Sequence, residues 1–207
     1  RADGRFGIAL LVLVLASALT ALGTQMALGD ALLAEMQRAA QNAGGELSQE
    51  NLEQMRTFGT VGAVVSAFVV VPVGVFLAAI FVWLLGIFVN AEAGYATAVM
   101  IVTYANFPRI LQGVVGIVQG LLLNPDSIYD VSLRLSRFVP REGTNPLLLA
   151  LVDRFDLFTI WVALLVGIGL HVAGRVPKGA AYLAAAAFWL LGILPALIPA
   201  AMGGFGG

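Results

Sequence analysis

Asp153-Arg154-Phe155-Asp156-Leu157-Phe158-Thr159-Ile160-Trp161 sets three ionised groups against an apolar run that reaches Gly174 without a further Asp, Glu, Lys or Arg. A run of that length suits a helix across a hydrocarbon core about 30 Å thick. Charges at its mouth belong at a membrane interface or inside a protected bundle, because a bare charge facing lipid is costly. The stretch therefore points to a membrane fold and marks where its polar chemistry lies.

The composition agrees. Of 207 residues, 60% are hydrophobic and 11% charged, with a mean hydropathy of +0.95. Soluble domains carry roughly 25% charged residues, so a polytopic membrane protein with one membrane domain, 1–207, is expected. A net charge of -1 provides no basic field for nucleic acid. With no cysteine and a single histidine, His171, neither a thiolate site nor a histidine metal cage can form, and no cofactor is expected. The chain opens at Arg1, so residues upstream are expected, and the run from Phe6 is too long for a signal core and reads as a retained helix.

Charges divide the chain into five apolar spans at about 6–29, 57–91, 95–123, 146–174 and 179–202. Between the first two, 30–56 reads as an extramembrane helical hairpin, with Asp30 as an N-cap, Gly44-Gly45 as a stop and Ser48 capping a second short helix. A polar loop, 124–145, separates spans three and four. The expected fold is thus all-α, a transmembrane bundle of five helices. Charge does not orient it: with the N-terminus inside, the inner segments hold Arg1, Arg5, Arg175 and Lys178, against Arg38, Arg56, Arg134, Arg137 and Arg141 outside.

The candidate polar cluster is Arg109, Asp153, Arg154 and Asp156, joined by Tyr104 and Asn106 beside Pro108. Asp153 and Asp156, three apart, would share a face of a continuous span-four helix. They could form a cation or proton site with Arg109 as counter-charge, or a structural ion pair of Arg109 with Asp156 while Arg154 meets a lipid phosphate. Tyr104 and Asn106 could line a kinked pocket or bond backbone groups freed by Pro108. His171 falls near the face of Asp156, but the apolar positions between them favour a packing role. Gly113, Gly116 and Gly120, including a GxxxG at Gly116–Gly120, form a stripe for close helix packing, and Gly167 does the same in span four. No nucleophile motif, phosphate loop or zinc-binding pattern is present, and intramembrane aspartyl catalysis would need aspartates on two helices.

Two stretches carry a family resemblance. Glu92-Ala-Gly-Tyr-Ala-Thr-Ala-Val-Met-Ile-Val-Thr-Tyr104-Ala105-Asn-Phe-Pro108-Arg109 resembles the polar turn, helix, Tyr-Ala and proline of the Yip1-domain family. Asp156-Leu157-Phe158-Thr159-Ile160-Trp161 through Gly167-Ile-Gly-Leu170, with the basic turn Arg175–Lys178, is similar to a run in its bacterial members. Together they cover roughly Leu52 to the end. The resemblance implies five spans and a cytoplasmic N-terminus. The Rab GTPase contacts of eukaryotic relatives are not carried over, because bacteria lack that vesicle traffic. The expected protein is a non-enzymatic scaffold or accessory subunit of a bacterial inner membrane. Its expected partners are membrane lipids and other integral membrane proteins or further copies of itself. The alternative is a small transporter, channel or lipid-handling protein using Arg109 and Asp156.

Overall fold

The computed structural model describes residues 6–42, 44–45, 48–123, 125, 131, 134–140 and 144–192. Among them the regular structure is helical: α1 (Phe6–Asn42), α2 (Gln49–Phe88), α3 (Tyr95–Ala105), α4 (Pro108–Leu123), a 3₁₀ turn (Leu135–Phe138), α5 (Pro146–Asp153), α6 (Leu157–Val172) and α7 (Lys178–Leu191). Three stretches are long and apolar enough to cross a membrane: Phe6–Asn42, Glu50–Phe88 and Tyr95–Leu123. Leu157–Val172 and Lys178–Leu191 are shorter apolar helices. Large side chains such as Val65, Phe68, Phe81 and Leu84 lie exposed along α2, as lipid contact requires and a water-facing surface rarely tolerates.

The hairpin expected at 30–56 is not a separate element. α1 passes through Asp30 without a break, so Asp30 is not an N-cap. An aspartate inside a helix costs only a few tenths of a kcal/mol to about 0.7, less than losing a turn of backbone hydrogen bonds. At 37 and 40 residues, α1 and α2 extend for about 55 and 60 Å, past a bilayer core of about 30 Å. Their polar ends meet at the turn. There Gly44 takes a φ of 79°, its neighbour Gly45 donates to Ala40 O at 2.9 Å, and Ser48 Oγ accepts from Asn51 N at 3.2 Å as an N-cap. Pro72 lies inside α2, which continues through it.

The described residues fall into two compact units, one from Gly74–Arg109 and Leu133–Gly207 with the first turn of α1, the other from Leu11–Val73 and Ile110–Ser132. In the second unit, α1 and α4 interlock through glycines. A Cβ on Gly113 would come within 2.9 Å of Thr20, one on Gly120 within 2.7 Å of Leu28, and Gly23 of α1 receives Ile117 in return. Gly116 has open space around it and is not part of this seam, which corrects the expected GxxxG. The working spacing is 113, 117, 120, one face of a helix. Asp30 and Arg56 pair at 3.2 Å between α1 and α2.

In the first unit α6 lies between α3 and α7. Gly167 faces α7, where its Cβ would meet Tyr182 at 2.8 Å, and Gly169 faces α3, where it would meet Ile101 at 2.5 Å. Two residues turn a helix by about 200°, so one short glycine pair serves two opposite neighbours. Val82, Val102, Val166 and Leu170 fill the core. At one end two turns dock: Glu92 N donates to Gly174 O at 2.9 Å and Arg175 Nη1 to Glu92 Oε2 at 2.8 Å. Asn90 and Arg175, with φ of 55° and 54°, reverse the chain there.

Candidate functional site

Both apolar stretches that carry the candidate residues are broken where those residues lie. In the third, α3 stops at Ala105 and α4 begins at Pro108. Proline suits a first helical position, since its missing N–H would have had no intrahelical partner. Asn106 bridges the break: its Nδ2 donates to Val102 O at 2.7 Å, and its own carbonyl accepts from Arg109 N at 3.0 Å. Tyr104 is 52% exposed and stacks on Phe107 at 6.1 Å. Next to it Thr103 is buried, its hydroxyl donating to Val99 O at 2.8 Å.

The fourth stretch is broken at residues 154–156. Asp153 ends α5, while Asp156 has extended backbone (φ -119°, ψ 133°) and caps α6. The two aspartates therefore do not share a helix face, contrary to the spacing argument. Only an unbroken helix would have put them on one face. Asp156, flanked by an apolar run and followed three residues on by Thr159, starts a new one instead. Its Oδ2 accepts from Thr159 N at 3.3 Å and from Thr159 Oγ1 at 3.0 Å, and the residue is 2% exposed.

Around this knuckle, backbone and side chains converge from three elements. An isolated antiparallel bridge pairs Arg134 with Asp156, and Leu135 N donates to Phe155 O at 3.0 Å, so the 3₁₀ turn is tied to the break. Arg154 Nε donates to Trp189 O on α7 at 2.9 Å, and its guanidinium lies against Gly192, where any side chain would displace it. Phe155 meets Trp189 edge-on at 5.1 Å. Arg109, an exposed residue in the first turn of α4, lies within electrostatic reach of Asp156 and of Arg134, and Arg154 within reach of Arg109 and Asp156. Arg109 and Asp156 make no ion pair within 4 Å, and Asp153 and Asp156 have further partners of their own.

Arg109, Arg154, Asp156 and Asp153 are thus brought to one region, whereas Gly116 stands apart and Gly167 works on the α7 side of α6. His171 is occupied elsewhere, with Nδ1 2.7 Å from Val176 O beside the docked turns. Sequence reasoning missed Thr159 and Arg134. The Asp-x-x-Thr spacing of a helix start carried a signal for the first; the second depends on a bridge between residues 22 apart, which no local pattern encodes. Among the described residues no three His, Cys, Asp or Glu gather in a way that could hold a metal.

Asp156, Arg154 and Asn106 are engaged by Thr159 and by the carbonyls of Trp189 and Val102, while Arg109 and Arg134 are exposed beside them. Sequence comparison gives the chain a family. The Yip1 domain matches residues 1–198. A protein described as Membrane protein YknW, from Bacillus subtilis (strain 168), is 27% identical over 153 residues, which cover 72% of this chain and 62% of the relative, so the chain spans less than two thirds of that protein's length. No solved structure matches the chain. A match over nearly every residue, joined to long apolar helices and a membrane-protein relative, establishes that this integral membrane protein belongs to the Yip1-domain family.

Proposed function

We propose that the protein is a non-enzymatic membrane scaffold or accessory subunit that crosses a bacterial inner membrane five times, with its N-terminus cytoplasmic. In this reading α6 makes most of the fourth crossing, with α5 at its headgroup end, and α7 begins the fifth. Its partners are lipids and other integral membrane proteins, or further copies of itself; Rab GTPases are not among them. The observation that carries this reading is the state of Asp156: buried, and bonded to Thr159 at the head of α6. Arg154 is likewise held by Trp189 O, and Asn106 by Val102 O. These groups hold broken helices together, as intramembrane polar residues do when neighbours satisfy freed backbone. A transport site would instead present them to a hydrated path.

One observation favours the alternative of a transporter, channel or lipid-handling protein. Arg109 is exposed near the middle of the apolar stretch Tyr95–Leu123, with no described carboxylate within 4 Å. The two readings separate in one experiment on Asp156→Asn, which keeps the shape and capping ability of the residue and removes its charge. Complexes are recovered in mild detergent, and proton or cation flux is measured in proteoliposomes. Scaffold function predicts that wild type carries no flux above empty vesicles and brings down defined membrane partners. Wild-type flux that disappears in Asp156→Asn, with the recovered complexes intact, would sink the scaffold reading.

A further inference from the structure

We propose that Arg109 and Arg134, reinforced by Arg154, form a binding site for an anionic phosphodiester, presented by a lipid headgroup at the membrane interface. Three observations converge. The first is charge. The α5–α6 break and the segment bridged to it bring together Arg109, Arg134, Arg137 and Arg154 against Asp153 and Asp156, so among the described residues cations are in excess. Asp156 is buried and its Oδ2 is engaged by Thr159, whereas Arg109 and Arg134 are exposed. Guanidinium forks match phosphate oxygens in pairs and are less strongly hydrated than ammonium groups, which suits them to a half-dry site.

The second is depth. α6 has 16 residues, a rise of about 24 Å. Its far end docks on the Glu92–Arg175 pair, whose side chains are 66% and 76% exposed and so mark the aqueous side. One α6 length from water in a core of about 30 Å places the break close to the opposite headgroup layer. Arg109, near the middle of its apolar stretch by count, is therefore at an interface by position. The third is the apolar rim. Phe138 is 80% exposed, and Leu135, Phe155 and Leu157 beside it are more than half exposed. Aromatic and aliphatic groups flanking arginines fit the boundary between headgroups and acyl chains.

The test reconstitutes the full chain in vesicles of phosphatidylglycerol and phosphatidylcholine and compares the motionally restricted fraction of each spin-labelled lipid. Wild type should favour phosphatidylglycerol. Arg109→Gln and Arg134→Gln should each lower that preference about five-fold, the effect of one cation near an anionic surface. Lys178→Gln, at the start of α7, should leave it unchanged. Both target residues are exposed, so their loss does not threaten the core. A variant-free arm raises ionic strength, which should weaken the preference in wild type. An undiminished preference in the double variant, an equal loss in Lys178→Gln, or a preference insensitive to salt overturns the proposal. Inorganic phosphate is added in excess as a further arm. No competition supports the lipid source, while arginine-dependent displacement of the lipid assigns the site to a soluble phosphate and overturns that source.

Discussion

Asp156 shows how one residue can change what a charged motif means. A carboxylate facing the middle of an apolar helix suggests ion passage; the same carboxylate at the first turn of a new helix is a cap, accepting from an otherwise unsatisfied N–H. The difference predicts a rank order. Asp156→Ala should destabilise the protein by about 1 kcal/mol, while Asp156→Asn, which caps as well, should lose clearly less. Thermal unfolding in one detergent measures both. Equal losses would mean that charge, not capping, is what this position supplies. Gly192 belongs to the same argument: Gly192→Ala should displace the Arg154 guanidinium and lower the midpoint, and Arg154→Ala should remove much of that penalty, since the clash partner is gone.

Among the helices, glycines divide into those that receive a neighbour and those that do not. Gly113 and Gly120 lie under Thr20 and Leu28, Gly167 under Tyr182, and Gly116 under nothing. Gly113→Leu, Gly120→Leu and Gly167→Leu should therefore each cost about 1–3 kcal/mol by overpacking. Gly116→Leu should be nearly silent in a stability assay, apart from a gain in helix propensity. A large loss at Gly116 with tolerance at Gly113 would reverse the seam assigned to α1 and α4. The helical class and the apolar stretches that form its helices are legible in the sequence, because hydropathy is a local property of the chain; of the polar knuckle the sequence marks Arg109, Asp153, Arg154 and Asp156 as candidates, but not Thr159 or Arg134. The helix breaks were legible only in part. Pro108 announced one, whereas the break before Leu157 was hidden by its greasy flanks. Asp30 reads as an N-cap yet α1 continues through it, because such a residue signals a start only where the preceding residues leave the helix, and Met26, Ala27 and Leu28 do not. Which glycines pack, and which arginines meet, depends on partners 15 to 94 residues distant and so lay beyond local patterns.

For the whole molecule, the absence of cysteine in the sequence makes topology directly measurable. Single cysteines at Glu92 and Arg175 should react with an impermeant maleimide from one side of the membrane, and a cysteine at Phe138 from the other. Labelling of all three from the same side would exclude five crossings in the proposed order. The brevity of α6 and α7 bears on how such a chain is made. The described helices hold 16 and 14 residues, short of the roughly 20 that let a segment enter a bilayer alone. They fit closely where Gly167 receives Tyr182, and only a brief turn separates them. A ribosome releasing α6 would thus present a segment that waits beside the translocation pore until α7 emerges, and the two would leave it as a pair. In chains stopped after Gly174, single cysteines placed within α6 should still react with a water-soluble maleimide, while in chains completed through α7 they should not.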